Sequence, residues 1–397
     1  MSAQDATRTL ACLGGTPAFD AVLPVGQLYF PSWERYTRAM TGIFDRGWYS
    51  NHGPLARELE ERLASFFGVR HAMVVSNATV GLIMGLKCLG VEGKVLVPGF
   101  TFVATGQAVT WAGMEVRFGD VDPDTHQITA ESAAAALDDD VRAVLAVNLW
   151  GGTCNPPAIE TFARDHGLKL IFDSAHGAGV RTGGVLLGGF GDAEVFSFHA
   201  TKVLSATEGG CVCTNDDQFA ARLRNMRSSY GTGPPTPVPL TGNGRFSEAQ
   251  AAIALMNLED FEANRHHNHD IWSIYREALK EIPGLRLLVP AHTDHSNYSY
   301  AVVEVDETEY GVSRDALVDT LAAENVLARR YFSPGVHRTP PYVTEQRPSL
   351  PVTEMLSETL LQLPIGALVG EDDAAVIGRL LSRVHADSAA IRALAAG

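Results

Sequence analysis

The stretch FDSAHGAGV, Phe172 to Val180, ends an apolar run on one acid, and FSFHATKVLSATEGG, Phe196 to Gly210, carries a single lysine after another such run. A lysine amine can condense with an aldehyde, and a carboxylate can keep a protonated ring nitrogen charged. Lys202 and Asp173 together therefore suit an aldehyde cofactor with a ring nitrogen, and Ser197 adds a hydroxyl able to bind a phosphate. Singly, each has a plainer reading, Asp173 as a helix cap and Lys202 as a solvated surface residue. SNATVGL, Ser76 to Leu82, passes from an apolar run into helical sequence, where free amides and the positive helix end attract a phosphate. Asn77 or Ser76 serves equally as an ordinary cap there. The glycine-rich GVRTGGVLLGGFGD, Gly179 to Asp192, does not join a strand to a helix with G-x-G-x-x-G spacing, which excludes a dinucleotide fingerprint.

These residues need elements to hold them. A helical pattern starts near Ser32, and a second helix opens at GPLARELEERLASFFG, where Pro54 suits a first turn and Leu55, Leu59, Leu63 and Phe66 form a stripe. HAMVVSN, KVLVPGF, MEVRFGDVD, RAVLAVNLWG, LKLIFDSAHG, AEVFSFH and GGCVCTN then follow as short β-rich runs, mostly separated by helix-length segments such as 78–89 and 157–166. The spacing predicts a mainly parallel sheet covered by helices, whose strand ends carry the ligand crevice. Proline and glycine crowd into 231–244, which reads as a loop, and one long helical stretch is expected over 247–281. The strand NYSYAVVEV, the helix SRDALVDTLAAEN and a terminal helix from about Asp372 complete a smaller α+β unit. The expected division is a lead segment over 1–25, a large α/β domain over 26–255 and a small domain over 256–397.

The chain has 397 residues, is 46% hydrophobic and carries a net charge of −15, so it buries a sizeable core and repels nucleic acid phosphates and anionic lipid. No apolar run reaches membrane-spanning length, and no signal-peptide core is present, so a soluble cytoplasmic protein is expected. The five cysteines are odd in number and scattered, which fits reduced thiols, and Cys211 and Cys213 should face the same side of a strand. His266, His267 and His269 lie in helical sequence without an acidic ligand at motif spacing, and no metal is assigned.

FDSAHGAG, SFHATKVLSATEGG, SNATVGL, PGFTFVATGQAVTWAG, GDVDPDTHQI and TGNGRFSEAQAAI together resemble the DegT/StrS sugar aminotransferases, which are fold-type I pyridoxal-phosphate enzymes. The resemblance runs from about Leu13 to Leu380, and the S-F-H-x-x-K segment paired with the upstream D-x-A-H segment is its most specific part. It implies a seven-stranded-type, mainly parallel sheet between helices. It also implies that Lys202 bonds pyridoxal 5'-phosphate and later carries a proton between carbons, that Asp173 lies under the pyridinium nitrogen, and that His176 contacts the ring or its phenolic oxygen. By the same resemblance, Phe102 stacks on the ring, and Ala78, Thr79 and Ser197 grip the phosphate, although the family usually has glycine where Ala78 stands. Asn243 would reach the phosphate of a neighbouring subunit's cofactor, so the proline-rich loop would cross a homodimer interface. RRYFSPGVHRTPPY resembles the segment near the sugar site, making Arg329, Tyr331 and His337 candidates for substrate contact, with Arg330 and the neighbour's Arg245 as further cations; Tyr49, beside Trp48 and Asn51, is similarly placed.

The expected activity is transfer of an amino group from L-glutamate to a nucleotide-linked keto sugar, such as a dTDP-4-keto-6-deoxyhexose, by a ping-pong route in deoxyamino-sugar and antibiotic biosynthesis. Three rivals stand beside it. An inosose aminotransferase of aminoglycoside assembly shares the LGGTPAF lead, Leu13 to Phe19. A sugar dehydratase of this fold carries histidine where Lys202 stands, and a cofactor-binding regulatory protein would lack turnover.

Overall fold

The protein, as a computed structural model, is described over residues 9–231, 233–343 and 348–395; residues 1–8 of the expected lead, Thr232 of the proline-rich loop, 344–347 and the last two residues lie outside the described residues. All seven β-rich runs enter one sheet: β1 (His71–Val75), β2 (Lys94–Pro98), β3 (Glu115–Gly119), β4 (Val141–Val147), β5 (Lys169–Asp173), β8 (Ala193–Ser197) and β9 (Gly210–Thr214). Their order is β1-β9-β8-β5-β4-β2-β3, and β9 alone runs against the rest. β5 and β8 are central, so KLIFD and AEVFS are covered on both faces; every residue of β8 is buried, and in β5 only Lys169 at its start is exposed. Between β5 and β8 the glycine-rich segment forms a small hairpin, β6 (Arg181–Thr182) and β7 (Val185–Leu186), turning through Gly183 and Gly184 with φ of 56° and 77°.

Helices α1 (Trp33–Arg46), α2 (Pro54–Phe67), α3 (Ala78–Leu89), α4 (Val103–Trp111), α5 (Ala130–Ala136), α6 (Pro156–Asp165) and α7 (Asp217–Ser228) accompany this sheet. On α2 the fully buried stripe is Ala56, Leu59, Leu63 and Phe67, not the expected Leu55 and Phe66, which are only partly covered. Phe67 is drawn inward because its ring stacks on Phe196 of β8 at 4.2 Å. The start of α2 is fixed by Glu248, whose carboxylate accepts the backbone N–H groups of Leu55 and Ala56, both at 2.9 Å. A Cβ at Gly53 would lie 2.5 Å from that carboxyl carbon, so this approach needs glycine.

The long helix expected over 247–281 is two helices, α8 (Glu248–Glu259) and α9 (Phe261–Leu279). No proline or glycine marks the break. The chain bends at Asp260 (φ −87°, ψ −1°), and Arg35 of α1 holds its carboxylate at 2.5 Å while also reaching Glu259 and the Met256 carbonyl. The second sheet is antiparallel, in the order β10 (Leu285–Leu287), β11 (Ala301–Val305), β13 (Leu360–Leu363), β12 (Arg329–Arg330). Helices α10 (Glu307–Tyr310), α11 (Arg314–Ala323), α12 (Pro351–Thr359), α13 (Glu371–Ala386) and α14 (Ser388–Ala395) belong to this part of the chain.

The expected boundary at 255/256 falls inside α8, whose Ala251, Ala254 and Leu255 pack with α2 and β8, whereas Ile271 onward packs with the four-stranded sheet. The described part of the lead joins that second cluster through Leu10, through the N–H groups of Ala11 and Ala18 on Glu324, and through a bridge from Leu23 to Val326. Cys211 and Cys213 do share one face of β9, with sulfurs 3.8 Å apart, and all five cysteines are free. No helix of the described residues is long and apolar enough to cross a membrane. His266 and His267 each sit against backbone carbonyls and His269 against Asp270 and Tyr298.

Candidate active site

A cleft of about 900 Å³ opens where β1, β5 and β8 end, bounded by the starts of α3 and α4 and by the segment following β12. Asp173, last residue of β5, is 5% exposed, and its carboxylate accepts bonds from the Thr105 hydroxyl at 2.8 Å and the Ala175 N–H at 3.1 Å. Burial raises its pKa from the ordinary carboxylate value, opposed by those two bonds and by the nearby Lys202 charge. Lys202 follows β8 in a turn where its N–H meets the His199 carbonyl. Lys202 is largely buried where it meets the cleft, and that desolvation dominates and brings the amine down to about 8. Asp173 favours the charged amine, while Arg329 disfavours it.

His176 is buried, and its pKa falls well below 6.5 because burial and the Lys202 charge both oppose a second proton. The backbone N–H of Trp150 points to Nδ1 at 3.5 Å, an arrangement that favours the neutral tautomer with its proton on Nε2. Trp150 itself has φ of 61°, an uncommon backbone state for a bulky residue, and its ring stacks on Phe332 at 5.3 Å. Phe102, at the N-cap of α4, leaves 58% of its surface open on the cleft wall.

On the opposite side, Ala78 and Thr79 begin α3 with their amides at its positive end, while Asn77 accepts the Val80 N–H and completes the cap. Ser197 ends β8 beside them, its hydroxyl accepting the His199 N–H at 3.3 Å. A Cβ on Gly210 would lie 2.8 Å from the Ala78 nitrogen, so glycine there keeps the helix start against the sheet. Ala78 is the first residue of the helix, a position whose backbone N–H has no partner within the helix.

Of the substrate candidates, Arg329 and Tyr331 line the cleft, with the guanidinium 3.2 Å from the Tyr331 hydroxyl. Arg330 also lines it, but Asp315 and Asp319 hold its guanidinium. His337 requires a correction: it is fully buried, outside the cleft lining, and bonded through Nε2 to Glu354 at 3.2 Å. The proline-bounded turn that carries it points its side chain toward Phe118 and α12 rather than toward substrate. Tyr49 is 56% exposed and Asn243 is exposed, and neither lines this chain's cleft. Thr105 and Tyr300 were missed. The former stands one helical turn into the TFVAT segment with no distinguishing mark, and Tyr300 reads as one more aromatic in a strand.

A buried acid, an amine, a neutral histidine, a helix start and a hydroxyl that all line one cleft fit a phosphorylated aromatic aldehyde. The match to the DegT/DnrJ/EryC1/StrS aminotransferase family extends over residues 33–381. The chain belongs to that family. This pyridoxal-phosphate-dependent aminotransferase is 33% identical over 313 residues to a dTDP-4-amino-4,6-dideoxy-D-glucose transaminase of Shigella dysenteriae, covering 78% of this chain and 84% of the relative. The Escherichia coli transaminase of the same name is 30% identical over 371 residues, 91% and 98% of the two chains. The crystal structure of DesI in the presence of its TDP-sugar product superposes with a TM-score of 0.91 at 40% identity, covering 96% of this chain and 99% of that one.

Proposed function

We propose that this aminotransferase moves an amino group from L-glutamate to a dTDP-linked 4-keto-6-deoxyhexose, in ping-pong order. The carrying observation is the Lys202 and Asp173 pair lining one cleft of about 900 Å³ that Arg329 and Tyr331 also line. The nucleotide and the position of the amine come from relatives named for that chemistry, alignable along most of this chain.

When bound, pyridoxal phosphate supplies an electron sink for the carbanion left by proton removal. Each residue then has a place. The α3 amides and the Ser197 hydroxyl hold the phosphate, and Phe102 covers a ring face. Asp173, kept in position by Thr105, keeps the ring nitrogen protonated. Lys202, with its amine near 8, loses a proton readily enough to act as nucleophile and to take and return the substrate proton. His176, neutral in this buried position, would donate from its ring to the cofactor's oxygen. Arg329 offers the cation that a chain of net charge −15 needs for the diphosphate. We further propose a homodimer in which Asn243 and Tyr49, exposed in one chain, complete the partner's cleft.

The test supplies glutamate with a panel of dTDP-keto sugars and an inosose, identifying products by mass and NMR. A 4-amino-4,6-dideoxyhexose product is expected. Equal efficiency with the inosose would overturn the sugar-nucleotide reading. Mixing Lys202→Ala chains with Asn243→Glu chains should regain activity, because each hybrid dimer holds one intact site; no regain, with hybrids present, would remove Asn243 from the partner's site.

A further inference from the structure

Tyr300 lies just before β11, in the part of the chain that forms the four-stranded sheet, yet its hydroxyl sits 2.8 Å from the Lys202 amine at the end of β8. It is 3% exposed. Its ring is fixed on two sides, tilted against His176 at 4.1 Å and meeting the Trp150 ring edge-on at 5.4 Å. A phenol held this way has one place for its oxygen. The four-carbon lysine chain has several, and confining it costs rotamer entropy.

We propose that Tyr300 is a positioning residue of this enzyme, holding the amine of Lys202 in place whenever that amine is not bonded to the cofactor. The inference rests on Lys202 being the reacting amine. Between bonding events the amine must stay within reach of the carbon whose proton it takes, and the Tyr300 hydroxyl is the group that contacts it. As an ammonium, Lys202 donates to the phenolic oxygen; as a neutral amine, it accepts from the phenolic O–H. No proton passes through the tyrosine. Burial raises its own pKa well above 10, so it remains a phenol in both states, and the proton gained or lost stays on the amine nitrogen.

The arrangement also couples the two parts of the fold. Lys202 comes from the seven-stranded sheet and its holder from the four-stranded one, so the amine is correctly placed only when both are docked. Neither the lysine motif nor the strand reveals this contact alone.

The experiment compares wild type, Tyr300→Phe and, as a control, Tyr275→Phe, a buried tyrosine whose hydroxyl donates to the Pro364 carbonyl away from the cleft. Trace acetic anhydride is applied to the full chain stripped of cofactor, and acetylation of Lys202 is followed against pH by peptide mass spectrometry. Wild type should show a midpoint near 8. Tyr300→Phe removes the acceptor of a charge-assisted bond, so its midpoint should fall, with about 3–10-fold more neutral amine at pH 7. Tyr275→Phe should leave the midpoint unchanged. After reloading with cofactor, the glutamate half-reaction of Tyr300→Phe should slow about 10–100-fold with KM for glutamate within about 3-fold of wild type, since the residue holds the enzyme's own amine and not the donor. Site-specific 3-fluorotyrosine at 300, which keeps ring and hydroxyl but weakens the acceptor, should give an intermediate midpoint and covers the case of a Phe variant that does not fold. An unchanged midpoint and half-reaction in both variants, or an equal shift in Tyr275→Phe, overturns the role of Tyr300. Because the acetylation is read without any substrate, that result leaves the sugar-aminotransferase reading standing, and a failed amination assay with a shifted midpoint does the reverse.

Discussion

The floor and the mouth of the cleft are built differently. At the floor, Asp173 and Ser197 occupy the last positions of two central strands, and Lys202 stands one tight turn later, so backbone pairing of β5 with β8 sets their separation. At the mouth, Arg329 and Arg330 lie on an edge strand two residues long, and His337 lies in a turn beyond it. Two of these side chains go where partners in other elements draw them, Arg330 to Asp315 and Asp319 and His337 to Glu354, while Arg329 meets the neighbouring Tyr331. A position in a central strand therefore predicts chemistry, while a position in a mouth segment predicts only proximity. An arginine already held by two carboxylates has much of its charge cancelled for a ligand.

The largest effect that would break this contrast is at the floor. Lys202→Ala should abolish turnover, a loss of about 10⁴-fold or more, and borohydride should no longer fix cofactor to the chain; label on another lysine of the wild type would refute the assignment. Asp173→Asn should keep the fold and lose about 10²–10³-fold in kcat, measured as single-turnover half-reactions. Normal half-reaction rates in that variant would separate Asp173 from the ring nitrogen.

The pH dependence sharpens the same region. Because burial lowers Lys202 to about 8, the neutral amine needed for bonding the cofactor is scarce below that pH and complete above it. Covalent loading of the cofactor-free chain, followed by absorbance, should quicken about tenfold per pH unit up to near 8 and then level off. A rise continuing toward 10.5 would mean a solvated lysine.

At the mouth the effects should be smaller and unequal. Arg329→Gln should raise KM for the sugar nucleotide about 10-fold with little change for glutamate, and added salt should weaken sugar binding selectively. Arg330→Gln should change the same KM less than about 3-fold, because its charge is already engaged. Equal effects from the two arginines would mean that Asp315 and Asp319 do not cancel the Arg330 charge. His337→Ala should leave both KM values alone and cost about 1–3 kcal/mol of stability, read by denaturant titration, through loss of a buried contact and its bond to Glu354.

Apolar run length and punctuation by glycine and helix caps were enough to place all seven strands of the large sheet and the helix from Ala78 to Leu89, because periodicity and capping act within a few residues. The same locality made the Lys202 and Asp173 motifs readable, since Asp173 ends its own strand and Lys202 follows the end of another by a few residues. The break at Asp260 was not readable, being fixed by Arg35 over 200 positions away, and neither was the inward turn of Phe67, decided by a ring on β8. Thr105 beneath Asp173 and Tyr300 beside Lys202 belong with these: each contact joins segments distant in the chain, and a side chain's partner across such a distance depends on how the elements dock. The sequence by itself determined which residues end the strands and what chemistry they can do. Only the tertiary structure decided which arginine remains available, where His337 is buried, and what holds the reactive amine, because those depend on burial and pairing between elements that no local pattern encodes.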